Sequence, residues 1–359
     1  MMRESERRAL VREAREKLAT QFSDYFTTAH GLEYVRPLGK GSAAGALLFN
    51  DLEKQTPNKR VLRRVVVKYA FAEYENRNKM ADDEIRNEFR WLRKLGGPEH
   101  IVQLITCEVD EEQIPRPALV LEFLEGGDVG QLCLKLRRAK RDMPNRVLWS
   151  IFLCLTRASV AMAYYPWTEG ERETIPNNQQ PKNLVHGDLH DENILLGALH
   201  PDDAEHRLAP RLKLIDFGKA GVIPPTVGIT GPQQSVQDIG RVIIALVARR
   251  YSSISDENMQ VNIQDDTGAS HQILIYTDPA VRDATHLSAE LRNVLFRSQA
   301  INPAERPSLD RLLQLCEAAV NTHTAAQYSN IPGYDHSAET NDSIRQFIQQ
   351  FILDGDTKT

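Results

Sequence analysis

The sequence predicts an α+β protein whose strands gather in the first third of the chain and whose helices fill the rest. Three observations carry this expectation. Apolar, β-branched runs bounded by turn residues fall at 34–48, 64–70, 100–104 and 118–124, with one helical stretch at 82–95 among them. Beyond residue 128 the recurring pattern is helical, broken by two short apolar strands and one alternating stretch. Of the 359 residues, 41% are hydrophobic and 26% charged, enough core material for one large two-lobed domain or two small ones.

Residues 4–26 set Leu10, Ala14, Leu18, Phe22 and Phe26 four apart, which predicts an amphipathic helix within 1–30 docked on the domain. Acids interleave with its bases, so it reads neither as a membrane anchor nor as a secretory signal. The stretch 34–48 holds Leu38, Gly39, Gly41 and Ser42, a hairpin whose glycines would let backbone N–H groups approach a phosphate. A buried strand follows at 64–70 and carries Lys68 after three valines. In the helix at 82–95, Ile85, Phe89, Leu92 and Leu95 form the apolar stripe. Glu84 and Glu88 lie four apart on one face, and spacing alone does not choose between them.

The run 118–124, with Leu121, Glu122 and Leu124, breaks into Gly126-Gly127 and then Asp128. Helices are expected at 129–139 and 146–165. Residues 166–183 are polar and contain three prolines, which predicts an exposed insertion, with a second insertion at 197–210. A Gly- and Pro-rich segment at 219–232 leads to a helix near 233–251. Alternation over 259–276 around Asp266-Thr267-Gly268 predicts a hairpin, and 287–298 a helix. Residues 322–359 read as a polar tail with one short helix at 343–353.

Two turns concentrate the chemistry. His186-Gly187-Asp188-Leu189-His190-Asp191-Glu192-Asn193 runs into an apolar strand that includes Leu195, and a second apolar strand ends in Asp216-Phe217-Gly218. Either turn alone is a common string; both in this order, each fused to a strand, are specific. A carboxylate beside a hydroxyl can take its proton, and an Asp with an Asn supplies oxygen ligands suited to magnesium.

In that order the motifs resemble the protein kinase superfamily, with a catalytic loop similar to that of aminoglycoside and choline-type phosphotransferases. The likeness covers about residues 32 to 318. It implies a two-lobed fold: an N-lobe over 31–124 with a five-stranded antiparallel sheet and one helix, then a mainly helical C-lobe over 125–321 and a tail from 322. It implies ATP and Mg2+ as cofactors. Asp188 would be the base, Asn193 and Asp216 the metal ligands, and Lys68 the phosphate-binding lysine paired with Glu88. Leu38, Gly39, Gly41, Ser42, Leu121, Glu122, Leu124, Asp128 and Leu195 would surround the nucleotide, with Leu121 as gatekeeper.

Departures from the pattern sharpen the expectation. Ala44 stands at the third loop glycine and Gly45 comes one residue late. Gly187 replaces an arginine that reads activation-loop phosphate in many kinases, and the segment after Phe217 is short, so loop phosphorylation is not expected to switch activity. His190 stands where Ser/Thr kinases place a lysine against the γ-phosphate, which predicts a rate that varies with pH below neutrality. Arg306, in a Pro-Ala-Glu-Arg-Pro-Ser string, lacks the Ala-Pro-Glu glutamate it pairs with in kinases.

The expected activity is therefore ATP-dependent phosphotransfer to Ser or Thr hydroxyls of a protein substrate. The alternatives are a small-molecule acceptor or a nucleotide-binding pseudokinase. A net charge of −5 argues against a nucleic-acid partner, and no apolar run is long enough for a membrane span. Four cysteines without a CxxC pair predict reduced thiols rather than disulfides or a zinc site, hence a cytoplasmic or nuclear protein.

Overall fold

The computed structural model describes residues 4–40, 44–56, 59–105, 109–110, 112–250 and 258–354. The architecture is mixed α+β with a small antiparallel sheet. Two compact units divide the chain: Met1–Gly97, Val102–Phe123 and Asp216–Ala220 form one, and Pro98–Ile101, Leu124–Ile215 and Gly221–Thr359 the other.

In the first unit, helix α1 (Glu4–His30) precedes strands β1 (Glu33–Lys40), β2 (Ala44–Thr56) and β3 (Lys59–Ala70). Helix α2 (Asn78–Leu95) and strand β4 (Ala118–Glu122) complete it, with sheet order β1-β2-β3-β4. The core joins Phe22 and Phe26 of α1 to Leu47, Phe49, Val65, Val67 and Tyr69 of the sheet. The stripe expected along the whole of α1 buries only its last turns; Leu10 is 54% exposed. Phe22 stacks on Tyr69 with ring centroids 4.4 Å apart. Gly45 pairs with Tyr69 across the ladder, and a Cβ there would come within 2.3 Å of that ring. The displaced glycine of the loop thus serves aromatic packing.

The sheet has four strands among the described residues, not five. Residues 100–104 contribute only isolated bridges, Leu104 to Leu121 and Ile101 to Leu214. The reason lies in Glu122, whose Oε1 accepts the Gln103 N–H at 2.7 Å, so a side chain occupies a position a fifth strand would bond.

The second unit is mainly helical: α3 (Val129–Ala139), α4 (Asn145–Tyr164), then short strands β5 (Leu184–Val185), β6 (Ile194–Leu196), β7 (Leu212–Leu214) and β8 (Gly221–Val222). Helix α5 (Gly231–Ala248), the hairpin β9 (Asn258–Gln264) and β10 (Ser270–Tyr276), α6 (Pro279–Asp283), α7 (Ala289–Ser298), α8 (Leu309–Thr322) and α9 (Asn341–Ile348) follow. Helix α4 is long and apolar enough to cross a membrane, but 89% of its apolar window is buried inside the protein. It is a core helix packed on α5 and α8.

Two expectations are corrected in this unit. Both insertions carry buried charge: Glu173 is 0% exposed, and Glu205 and His206 are buried as well. Arg157, buried on α4, explains part of this by donating to both Glu205 oxygens, at 2.9 and 2.5 Å, and to the Glu173 carbonyl at 2.5 Å. The tail is no solvated appendage either. Ile344, Phe347, Ile348, Phe351 and Ile352 are buried, and the buried Glu339 accepts from Asn145 N at 2.6 Å and Tyr334 Oη at 2.6 Å. Arg306 finds its substitute partners in backbone, donating to the carbonyls of Ala300 and Gln233 at 3.0 Å each.

Candidate active site

Strand β3 and helix α2 place the first cluster. Lys68 follows the buried Val65 and Val67 on β3, and Glu88 sits on the buried face of α2. Lys68 Nζ lies 2.6 Å from Glu88 Oε2 and 3.0 Å from Asp216 Oδ1. Glu88, rather than Glu84, therefore carries the ion pair. Burial works against the lysine's charge, but the carboxylates of Glu88 and Asp216 outweigh it and hold the ammonium above lysine's ordinary pKa. Burial also pushes the Glu88 carboxyl up, opposed by Lys68. We place the shared proton on nitrogen, because two acids compete to keep it there.

Asp216 differs from its partners in two ways. Its side chain is 41% exposed, against 1% for Glu88. Its backbone lies in the left-handed region at φ 67 and ψ 68, a conformation that costs a non-glycine residue about 1–3 kcal/mol. The following turn is tied to α2: Asn87 Nδ2 donates to the carbonyls of Gly218 and Ala220 at 2.9 Å each, and Trp91 Nε1 to that of Ala220 at 3.0 Å. These bonds over-determine the segment and sustain the strain at Asp216.

The second cluster belongs to the helical unit. His186 is buried and bridges backbone to backbone: its Nε2 donates to the Ile215 carbonyl at 2.8 Å, and its Nδ1 accepts the Asp188 N–H at 3.3 Å. These two bonds define a neutral ring with the proton on Nε2. Between them Gly187 stands at φ 78, a conformation open to glycine and strained for an arginine. The Asp188 carboxylate is 35% exposed and 3.9 Å from His190 Nε2. Asn193 Nδ2 donates to the Asp188 carbonyl at 2.9 Å and lies 3.0 Å from His190 Nε2. His190 Nδ1 also faces the Glu192 N–H at 3.2 Å, so this ring supports the turn locally.

The remaining predicted residues spread over both units. Leu121 is buried in β4 and pairs with Val66. The Glu122 N–H donates to the Gln103 carbonyl at 3.1 Å and is thereby taken. Leu38 lines a cleft of about 1150 Å³ between α1 and the sheet, with Arg12 and Arg15. Gly39 lies in β1, while Gly41 and Ser42 fall outside the described residues. In the helical unit, Leu195 bridges Asp128, whose carboxylate caps α3 through the Gln131 N–H at 2.7 Å. Leu124 begins that unit's second segment, and Gly126 N–H donates to the Leu196 carbonyl at 3.0 Å.

Each unit offers an oxygen donor of the kind a hard cation takes. An Asp carboxylate and an Asn carboxamide offer oxygen alone, the ligand type magnesium takes. With Asn193 Nδ2 turned to the Asp188 carbonyl, its Oδ1 is the ligating atom on offer. Sequence reasoning missed His186, whose two backbone bonds were not visible in the motif. No protein-family model matches the chain, and no curated protein matches it.

Proposed function

We propose that the chain is an ATP- and magnesium-dependent phosphotransferase of the protein-kinase-like fold, its sheet unit and helical unit corresponding to the two lobes. The observation that carries this reading is the Lys68–Glu88–Asp216 cluster: a buried lysine held by one buried acid and one exposed, strained acid. An ion pair made only for stability does not require the left-handed, strained backbone that Asp216 adopts.

Magnesium, bound with ATP, would supply charge neutralisation at the transferring phosphoryl group. Lys68 binds the α- and β-phosphates, with Glu88 fixing its direction. Asp216 of the sheet unit and the Asn193 carboxamide oxygen of the helical unit would be the metal's ligands. Asp188 takes the proton of the acceptor hydroxyl, and His186 anchors its backbone so that the carboxylate stays aimed.

The acceptor we propose is a Ser or Thr hydroxyl of a protein. A small-molecule acceptor is the second reading. It is favoured by the segment after Phe217, where β8 pairs with β5 and α5 begins at Gly231, leaving little chain for peptide docking. The test is transfer from radiolabelled ATP, offered a protein pool and a metabolite pool, by wild type and Asp188→Asn. Label in either pool that the variant loses by about 10²–10⁴-fold supports the assignment and names the acceptor class. Label that persists in the variant contradicts it, and no transfer at all by wild type favours a pseudokinase.

A further inference from the structure

A second group of chemically competent side chains lies wholly inside the helical unit, and the proposed reaction makes no use of it. His100, Cys154, Glu173 and His206 come from four separate segments, and all are buried, none exceeding 1% exposure. His100 Nε2 stands 3.2 Å from His206 Nε2. One ligand atom each from His100, Cys154 and His206 falls within a sphere where all lie within 4.8 Å of one another. Behind His100, Glu173 holds the ring by two bonds, Oε2 at 2.6 Å from Nδ1 and Oε1 at 2.7 Å from the backbone N–H.

We infer that His100, His206 and Cys154 bind one transition-metal ion of the zinc type. Two imidazole nitrogens at about 2.0–2.1 Å from a tetrahedral zinc stand about 3.3–3.4 Å apart, close to the spacing of the Nε2 pair. Without an ion, His100 hydrogen-bonds both the His206 ring and the Cys154 thiol, so the three donors already converge on one point. Glu173 completes the pattern, because a metal-bound histidine ordinarily passes its other N–H to a carboxylate. Nitrogen and sulfur donors select zinc over magnesium, so this ion does not compete for Asn193 or Asp216. No fourth side-chain ligand accompanies these three among the described residues. Binding releases the thiol proton and any proton held on the two Nε2 atoms to solvent.

The site would pin three segments whose packing the sequence does not announce: α4 through Cys154, the 197–211 connection through His206, and the turn carrying His100. The His100 carbonyl accepts the Leu214 N–H at 2.9 Å, so the same ion braces β7. The absence of a CxxC pair does not conflict with this, since only one thiol is used.

The experiment uses the full chain with no histidine tag, stripped with chelator and then loaded with Zn2+ or Co2+ and desalted. About one metal per chain is expected, with a thiolate-to-cobalt charge-transfer band in the near-ultraviolet. Cys154→Ser should abolish the band, His206→Asn should empty the site, and Glu173→Gln should weaken zinc binding by about 10–100-fold. Wild type that retains no metal after loading overturns the proposal, and that measurement needs no variant to fold. Metal retained equally by the Cys154 and His206 variants, or cobalt bound without the charge-transfer band, also overturns it.

Discussion

Two charged clusters, one in each unit, both join a buried cation to carboxylates and differ in the backbone that carries the acids. Around Arg157, in the helical unit, the guanidinium meets Glu205, Glu317 and the Glu173 carbonyl through Nε, Nη1 and Nη2. Around Lys68, in the sheet unit, one acid is sealed at 1% exposure and the other stands 41% exposed on a left-handed backbone. The first arrangement spends its hydrogen-bonding capacity on itself, as a buried network must if it is not to destabilise the fold. The second holds its half-exposed acid on a strained backbone, which is costly unless the residue has work to do. Each cluster leaves one acid half-exposed, Glu317 at 37% and Asp216 at 41%, so backbone strain at Asp216 is what separates the working cluster from the architectural one.

The sharpest way to break this comparison is to remove one charge from each cluster. Asp216→Asn should lower phosphotransfer by at least on the order of 10³-fold, because a metal ligand in the site is lost, while thermal stability barely moves. Arg157→Met should do the reverse. Leaving the buried Glu205 with only the Arg172 guanidinium, at 3.6 Å, should cost about 3 kcal/mol in urea unfolding, with ATP affinity of the folded fraction unchanged. If the Arg157 variant loses nucleotide binding while remaining folded, the division of labour is wrong.

A smaller effect probes Asp238, a half-buried acid paired with Arg241 at 3.0 Å. Burial raises the Asp238 carboxyl to about 6, against the opposing pull of Arg241 and Gln234. Between pH 4 and 6 the folded protein holds a proton that the unfolded chain has released, so stability falls as pH rises through that window. Asp238→Asn should therefore stabilise at pH 7.5 by about 1–3 kcal/mol and change nothing at pH 4, as read from unfolding midpoints at both. Smaller still, Gly187→Ala should cost about 1–2 kcal/mol, because the φ of 78 there penalises a Cβ. A neutral or stabilising result would show that this turn relaxes away from the left-handed region.

The two clusters also differ in how legible they were. Lys68 and Glu88 stand on a strand and a helix whose periodicities are plain, and α3 spans Val129–Ala139 as its apolar spacing predicts. Glu173 lies in a proline-rich polar stretch that reads as exposed and Glu205 in a second insertion; their partner Arg157 sits in an apolar helix, and nothing in spacing links them. The tail did carry a signal: Ile344, Phe347, Ile348, Phe351 and Ile352 follow the i, i+3, i+4, i+7, i+8 rule over a short segment surrounded by polar residues. The lost fifth strand turned on one side chain, Glu122, replacing a ladder bond. Residue types and order exposed the chemistry; long-range pairing of charges did not show.

Calorimetric titration of ATP, with and without magnesium, into wild type and Asp216→Asn tests the central claim most directly. The account predicts binding that magnesium strengthens in wild type and leaves almost unchanged in the variant. Equal magnesium dependence in both proteins, or none in wild type, would contradict the assignment of Asp216 as a metal ligand and with it the reading of the Lys68 cluster.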